Sequence, residues 1–135
     1  MIKIKDKINF TLLVFNIFCL LCYSIQLLIF TDEFALNNIG FFNHAVAGLL
    51  EIIGVIFFCL AIGLSFIVFR GANNQLSLLA TVFLMQILIS LNFWRYVITN
   101  SPGETTISII KFNAYVFSLM SFSMLILINR LKKVI

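Results

Sequence analysis

The sequence predicts an all-α integral membrane protein, a four-helix bundle with both termini in the cytoplasm, and three observations carry the fold class. Of the 135 residues, 62% are hydrophobic and only 10% charged, and the mean hydropathy of +1.14 exceeds what a water-soluble domain of this size needs. Four apolar runs, 8–30, 45–69, 76–98 and 107–128, each match the roughly 20 residues with which an α-helix crosses the hydrocarbon layer. These runs do not alternate polar and apolar residues as the strands of a membrane barrel do. Continuous apolarity in lipid requires a helix, whose backbone hydrogen bonds are all internal. The connections are too short to form a core of their own, so residues 1–135 are read as a single transmembrane domain.

Lys3, Lys5 and Lys7 precede the first run, as in a secretory signal. The run is too long for a signal core, however, and ends in Phe30-Thr31-Asp32-Glu33 without a small-x-small site, so it is expected to remain as the first span. Asn16, Cys19, Tyr23 and Gln26 recur on one of its faces, the pattern of hydrogen-bonding glue between membrane helices. Residues 31–44 form an outer loop in which Asn37-Asn38-Ile39-Gly40 favours a turn.

The second span carries Gly48, Gly54 and Gly63, small residues that let helices pack closely. Arg70-Gly71-Ala72-Asn73-Asn74 makes the inner connection. The third span ends in Phe93-Trp94-Arg95-Tyr96, aromatic rings of the kind that sit among lipid headgroups. Asn100-Ser101-Pro102-Gly103 then marks an outer turn, with Thr105 or Thr106 placed to cap the fourth span. Lys3, Lys5, Lys7, Arg70, Arg130, Lys132 and Lys133 fall on one side of this arrangement and Asp32, Glu33 and Glu104 on the other. The positive-inside rule therefore sets both termini in the cytoplasm. The net charge of +4 is a topology signal and not the basic patch of a nucleic-acid binder.

Chemistry-bearing motifs are few. There is no nucleophile–base triad, phosphate loop or metal-ligand spacing, and His44 is the single histidine, so no metal site, bis-histidine haem or other intrinsic cofactor is expected. Cys19 and Cys22 form a C-x-x-C at a depth near that of Cys59. Redox pairs of this kind normally occupy water-accessible helix starts, whereas thiols in apolar surroundings are unreactive.

Glu51 is the residue that most needs a reason, because a carboxylate within a span costs about 2.5–3.5 kcal/mol on insertion scales. Counting depth at about 1.5 Å per residue puts Glu51, Arg95 and Lys111 in the same leaflet. Asn92 shares the Arg95 face, and His44 and Gly48 share that of Glu51. On the fourth span Ser108, Lys111, Tyr115 and Ser118 make another polar stripe. Two readings follow. In one, Glu51, Arg95, Asn92, Lys111 and His44 form an outer-leaflet polar cluster that binds a lipid or quinone headgroup or relays a proton. In the other, Glu51 and Arg95 simply clasp two helices while Lys111 snorkels to the surface.

The stretch from Phe34 to Gly63 resembles the DoxX-like family of small four-span membrane proteins. The likeness lies in a loop ending in Gly40, then Gly48-Leu-Leu-Glu51-Ile-Ile-Gly54, a hydrophobic run to Gly63 and the basic Arg70 before the third span. It implies an accessory or redox-associated membrane subunit, with Glu51 and its glycines as the residues carried over. The expected function is thus a non-catalytic membrane subunit within a larger redox or other membrane complex, its partners being membrane lipids and either other membrane subunits or further copies of itself. The alternative is a small proton-coupled transporter in which Glu51 changes protonation. The expected location is the inner (cytoplasmic) membrane of a bacterium or archaeon. In a eukaryote it would be the endoplasmic reticulum, where Lys132-Lys133-Val134-Ile135 looks like a dilysine retrieval signal, although the same lysines also serve as a positive-inside anchor.

Overall fold

The computed structural model describes residues 6–72, 74–99 and 106–132, and within them all regular structure is helical. Four helices are long and apolar enough to cross a membrane: α1 (Lys7–Leu28), α3 (His44–Arg70), α4 (Leu76–Thr99) and α5 (Ile107–Lys132), with a short α2 (Thr31–Asn38) between the first two. Lys3, Lys5, Asn73, the turn at 100–103, Glu104, Thr105 and the terminal 133–135 lie outside the described residues.

The chain ends each helix with local devices. Asp6 caps α1, its Oδ1 accepting from the Ile8 N–H at 3.0 Å, and Asn43 caps α3 by accepting from the Val46 N–H at 2.9 Å. Gly71, at φ 95°, ends α3 in a left-handed conformation open to glycine. The segment 31–44, expected as a loop, contains α2. Its hydrophobic content is low, but the Thr31 hydroxyl donates to the Leu27 carbonyl at 2.7 Å, and Gly40, at φ 87°, closes its far end by donating to the Ala35 carbonyl.

Helix neighbours decide what the bundle can enclose. α3 packs along α1 and α4 along α5, α1 and α5 join the two pairs, and α3 and α4 scarcely meet. The four long helices therefore form a row, α3–α1–α5–α4, curled so that its two ends flank a cleft. α2 lies against α3, α1 and α5. Gly54 marks the closest approach of α1 and α3: a Cβ there would stand 2.8 Å from Leu28 Cγ and 3.0 Å from Leu27 Cβ, and the Ser24 hydroxyl donates to the Gly54 carbonyl at 3.0 Å. The other two glycines differ. A Cβ on Gly63 would make ordinary contact with Leu78 at 3.5 Å, and one on Gly48 would meet nothing within 4 Å, so Gly48 is not a packing glycine within this chain.

Candidate functional site

Polar side chains cross from α1 to α5 in three rungs. Asn9, Asn16 and Tyr23 are spaced by seven residues, which stacks them along one face of α1. At the end of the bundle where α1 begins and α5 ends, Arg130 Nε donates to Asn9 Oδ1 at 2.9 Å and Arg130 Nη2 to Asp6 Oδ2 at 2.6 Å. The guanidinium bond first, and the Ile8 N–H second, hold the Asp6 carboxyl below its usual 3.8. Midway along, Asn16 Nδ2 donates to Ser123 Oγ at 2.7 Å and Gln86 Nε2 donates to Asn16 Oδ1 at 2.9 Å. Asn16 and Gln86 are fully buried, and Gln86 Oε1 has no hydrogen-bond partner among the described residues. Toward the other end, Tyr23 Oη donates to Asn113 Oδ1 at 2.7 Å, and Asn113 Nδ2 passes the chain on to Asn38 Oδ1 of α2 at 2.6 Å.

This last rung lies at the half of the bundle that holds α2, the outer half on the sequence reading, and two cavities lie there. The larger, about 740 Å³, occupies the cleft between α3 and α4 and draws lining from every helix and the α2–α3 connection. Four rings from four different helices, Tyr23, Phe57, Phe93 and Phe117, line it and cluster around Phe117. Tyr23 and Phe117 stand 4.7 Å apart between centroids, Phe93 and Phe117 5.8 Å, Phe57 and Phe117 6.1 Å. Its polar lining is sparse: Asn38, Asn92 and the hydroxyls of Tyr23 and Tyr96. Tyr23 Oη and Asn38 are already engaged in the rung, while the Asn92 side chain makes no hydrogen bond to another described residue. An apolar chamber of this size with a few convergent polar groups is the usual form of a small-molecule site.

Of the five residues grouped by depth, the structure brings Asn92 alone to this chamber. Glu51, Arg95, Lys111 and His44 are exposed on the bundle surface and lie outside both cavity linings. No ion pair joins Glu51 to Arg95, and among the described residues the one ion pair is that of Arg130 with Asp6, at the opposite end. The physical reason is azimuth. Depth along a helix follows from residue count, but α3 and α4 turn their buried faces toward α1 and α5, which leaves Glu51 one residue past the buried Leu50 and outside the cleft. Arg95 instead lies over the Tyr96 ring, 5.1 Å from its centroid. The polar stripe of α5 also splits: Ser118 turns to α4, where it bonds Ser90 at 2.8 Å and accepts from Trp94 Nε1 at 3.1 Å, while Ser108, Lys111 and Tyr115 remain exposed.

The three thiols are free, Cys19 and Cys22 half-buried and Cys59 exposed. No group of three or more His, Cys, Asp or Glu side chains among the described residues is close enough to hold a metal ion. Sequence reasoning picked out Asn16 and Tyr23 as polar glue but passed over Asn9, Gln86, Asn113 and Ser123. The seven-residue spacing on α1 was the available signal for Asn9. Compared with protein-family models, with curated proteins and with solved structures, the chain matches none.

Proposed function

We propose that this protein is a non-catalytic integral membrane subunit that holds a lipid or quinone in its outer-half chamber and works within a larger redox or other membrane complex, in keeping with its resemblance to the DoxX-like family. On this reading it resides in the cytoplasmic membrane of a bacterium or archaeon, with the Arg130–Asp6 end and both termini inside, as the positive-inside rule directs. The observation that carries the ligand assignment is the chamber itself: about 740 Å³, walled by aromatic rings from all four long helices, with Asn92 and the Tyr96 hydroxyl as its uncommitted polar groups. A quinone ring suits such walls by stacking, and its carbonyls need one or two donors of the kind an amide and a phenol supply. Glu51 lies outside this chamber, and among the described residues no acid lines it in support of the proton-coupled carrier. On the surface of α3, beside the open space at Gly48, Glu51 instead suits a contact with a partner subunit.

The test is purification in mild detergent followed by organic extraction and mass spectrometry. A stoichiometric lipid or quinone is expected in the native protein. Its amount should fall at least threefold in Asn92→Leu and in Ile53→Trp, which fills the chamber. Protein that carries no such molecule and binds none on addition of a soluble quinone analogue would overturn the assignment.

A further inference from the structure

A second cavity, about 490 Å³, lies on the other side of the Tyr23–Asn113–Asn38 rung, between α1, α2 and α5, and the proposed function makes no use of it. Its walls divide by chemistry. Ile25, Phe30 and Phe112 supply apolar surface, while Gln26, Glu33 and Asn37 supply polar groups. Glu33 is the one charged residue in this lining, and Asp32 adds a second exposed carboxylate beside it. Lys111 adjoins Phe112 in sequence, yet it does not line the cavity and forms no ion pair with Glu33. The side chains of Gln26 and Asn37 make no hydrogen bonds to other described residues, which leaves their amide oxygens free to accept.

We infer that this cavity is a binding site for an amphiphile with a cationic alkylammonium headgroup. The carboxylate of Glu33 attracts an ammonium and disfavours a head whose net charge is negative. The neighbouring amide carbonyls accept its N–H bonds, and the phenyl rings take the adjoining apolar part of the amphiphile. The site needs no protein partner, shares only Phe34 and Asn38 with the chamber between α3 and α4, and differs from it in charge and ligand class. The ligand could come from an amine-bearing membrane lipid or from a free alkylamine, which share this chemistry.

The chain contains its own reporter, because Cys22 lines this cavity and Cys59 lies on α3 away from it. The experiment measures alkylation of both thiols by N-ethylmaleimide, resolved by peptide mass spectrometry, in neutral maltoside micelles with added dodecylamine or laurate. Dodecylamine should slow Cys22 at least fivefold relative to Cys59, and laurate should not. Glu33→Gln should abolish the protection and Glu33→Lys should transfer it to laurate, neither change touching the core. Protection repeated in nanodiscs of ethanolamine lipid, but not of glycerol lipid, identifies the bilayer as the source, while protection by dodecylamine alone identifies a free amine. Equal protection by both amphiphiles, no protection by either, or a Glu33→Gln variant that keeps the native response would overturn the inference. Since none of these outcomes involves Asn92 or Ile53, the site can fail while the proposed chamber stands.

Discussion

The two halves of the bundle use the same device to opposite ends. In the half where α1 begins and α5 ends, Asn9 and Asn16 are buried, and Leu13, Leu64, Ile67, Leu79 and Leu127 are each at most 2% exposed. In the half that holds α2 the Tyr23–Asn113–Asn38 rung is a partition, with a cavity on either side. Polar bonds between α1 and α5 thus glue helices where packing is complete and divide space where it is not. The difference originates in the neighbours of α3 and α4. Near their short connection they converge, with Gly63 close to Leu78. Farther out, α2 and the aromatic cluster occupy the region between the helix pairs, and the cleft opens.

The sharpest way to break this contrast is a matched pair of truncations. Leu13 and Leu50 each sit about 9 Å from the start of their helix, at opposite ends of the bundle. Leu13 is fully enclosed and Leu50 borders the chamber. Leu13→Ala is expected to cost about 2–3 kcal/mol, the low end of such series because the unfolded reference is itself in lipid. Leu50→Ala, which enlarges an existing void, should cost under about 1 kcal/mol. Unfolding in mixed micelles with added dodecyl sulfate measures both, and equal costs would erase the distinction between the halves.

A smaller effect separates two residues of one rung. Asn16→Leu strands Gln86 and Ser123 together and should destabilise by about 1–2 kcal/mol. Gln86→Leu removes one bond and leaves Asn16 Oδ1 without its donor, but also removes an oxygen that lacks a partner, so a smaller loss of about 0.5–1 kcal/mol is expected in the same assay. A larger loss for Gln86 would mean that its free oxygen is in fact bonded, for instance to a buried water.

The smallest effect lies at the rim where α1 begins and α5 ends, where Arg130 and Asp6 are each about two-fifths exposed. The folded-state value of Asp6 is depressed, so the stabilisation from this pair is present above pH 3.8 and disappears as pH falls through the folded-state value below that point. A thermal-stability profile over this acid range should therefore steepen in the native protein and flatten in Asp6→Asn. An unchanged profile would show that the pair contributes nothing measurable, as for many exposed ion pairs.

Much of the fold was legible in the residues. The four spans begin and end within two residues of the apolar runs, except that α5 continues from Ile128 to Lys132. There Asn129 and Arg130 end the hydropathy signal while the helix persists, because Arg130 finds Asp6 and Asn9 on α1. α2 was illegible because eight residues of mixed polarity give no periodic signal, and its ends rest on Thr31 and Gly40. The site was only partly legible for a related reason. Residue counting gives the depth of Glu51, Arg95, Asn92 and Lys111, but the direction in which each points depends on which helices are neighbours, and that is a property of the assembled bundle. A protein with consecutive helices packed in a ring would have brought α3 and α4 together. This one pairs α1 with α3 and α4 with α5.

That pairing also sets an order of events during biogenesis. The α1–α3 hairpin can enter the bilayer and close on itself through Ser24 and Gly54 as soon as it is synthesised. Asn9 and Tyr23 then wait with amide and hydroxyl unmatched until α5 arrives, across sequence separations of 121 and 90 residues, while Asn16, bonded to the Leu12 carbonyl and then to Gln86 of α4, still lacks Ser123, 107 residues on. A half-made chain therefore presents three polar groups along one lipid-facing stripe. The last helix covers that stripe.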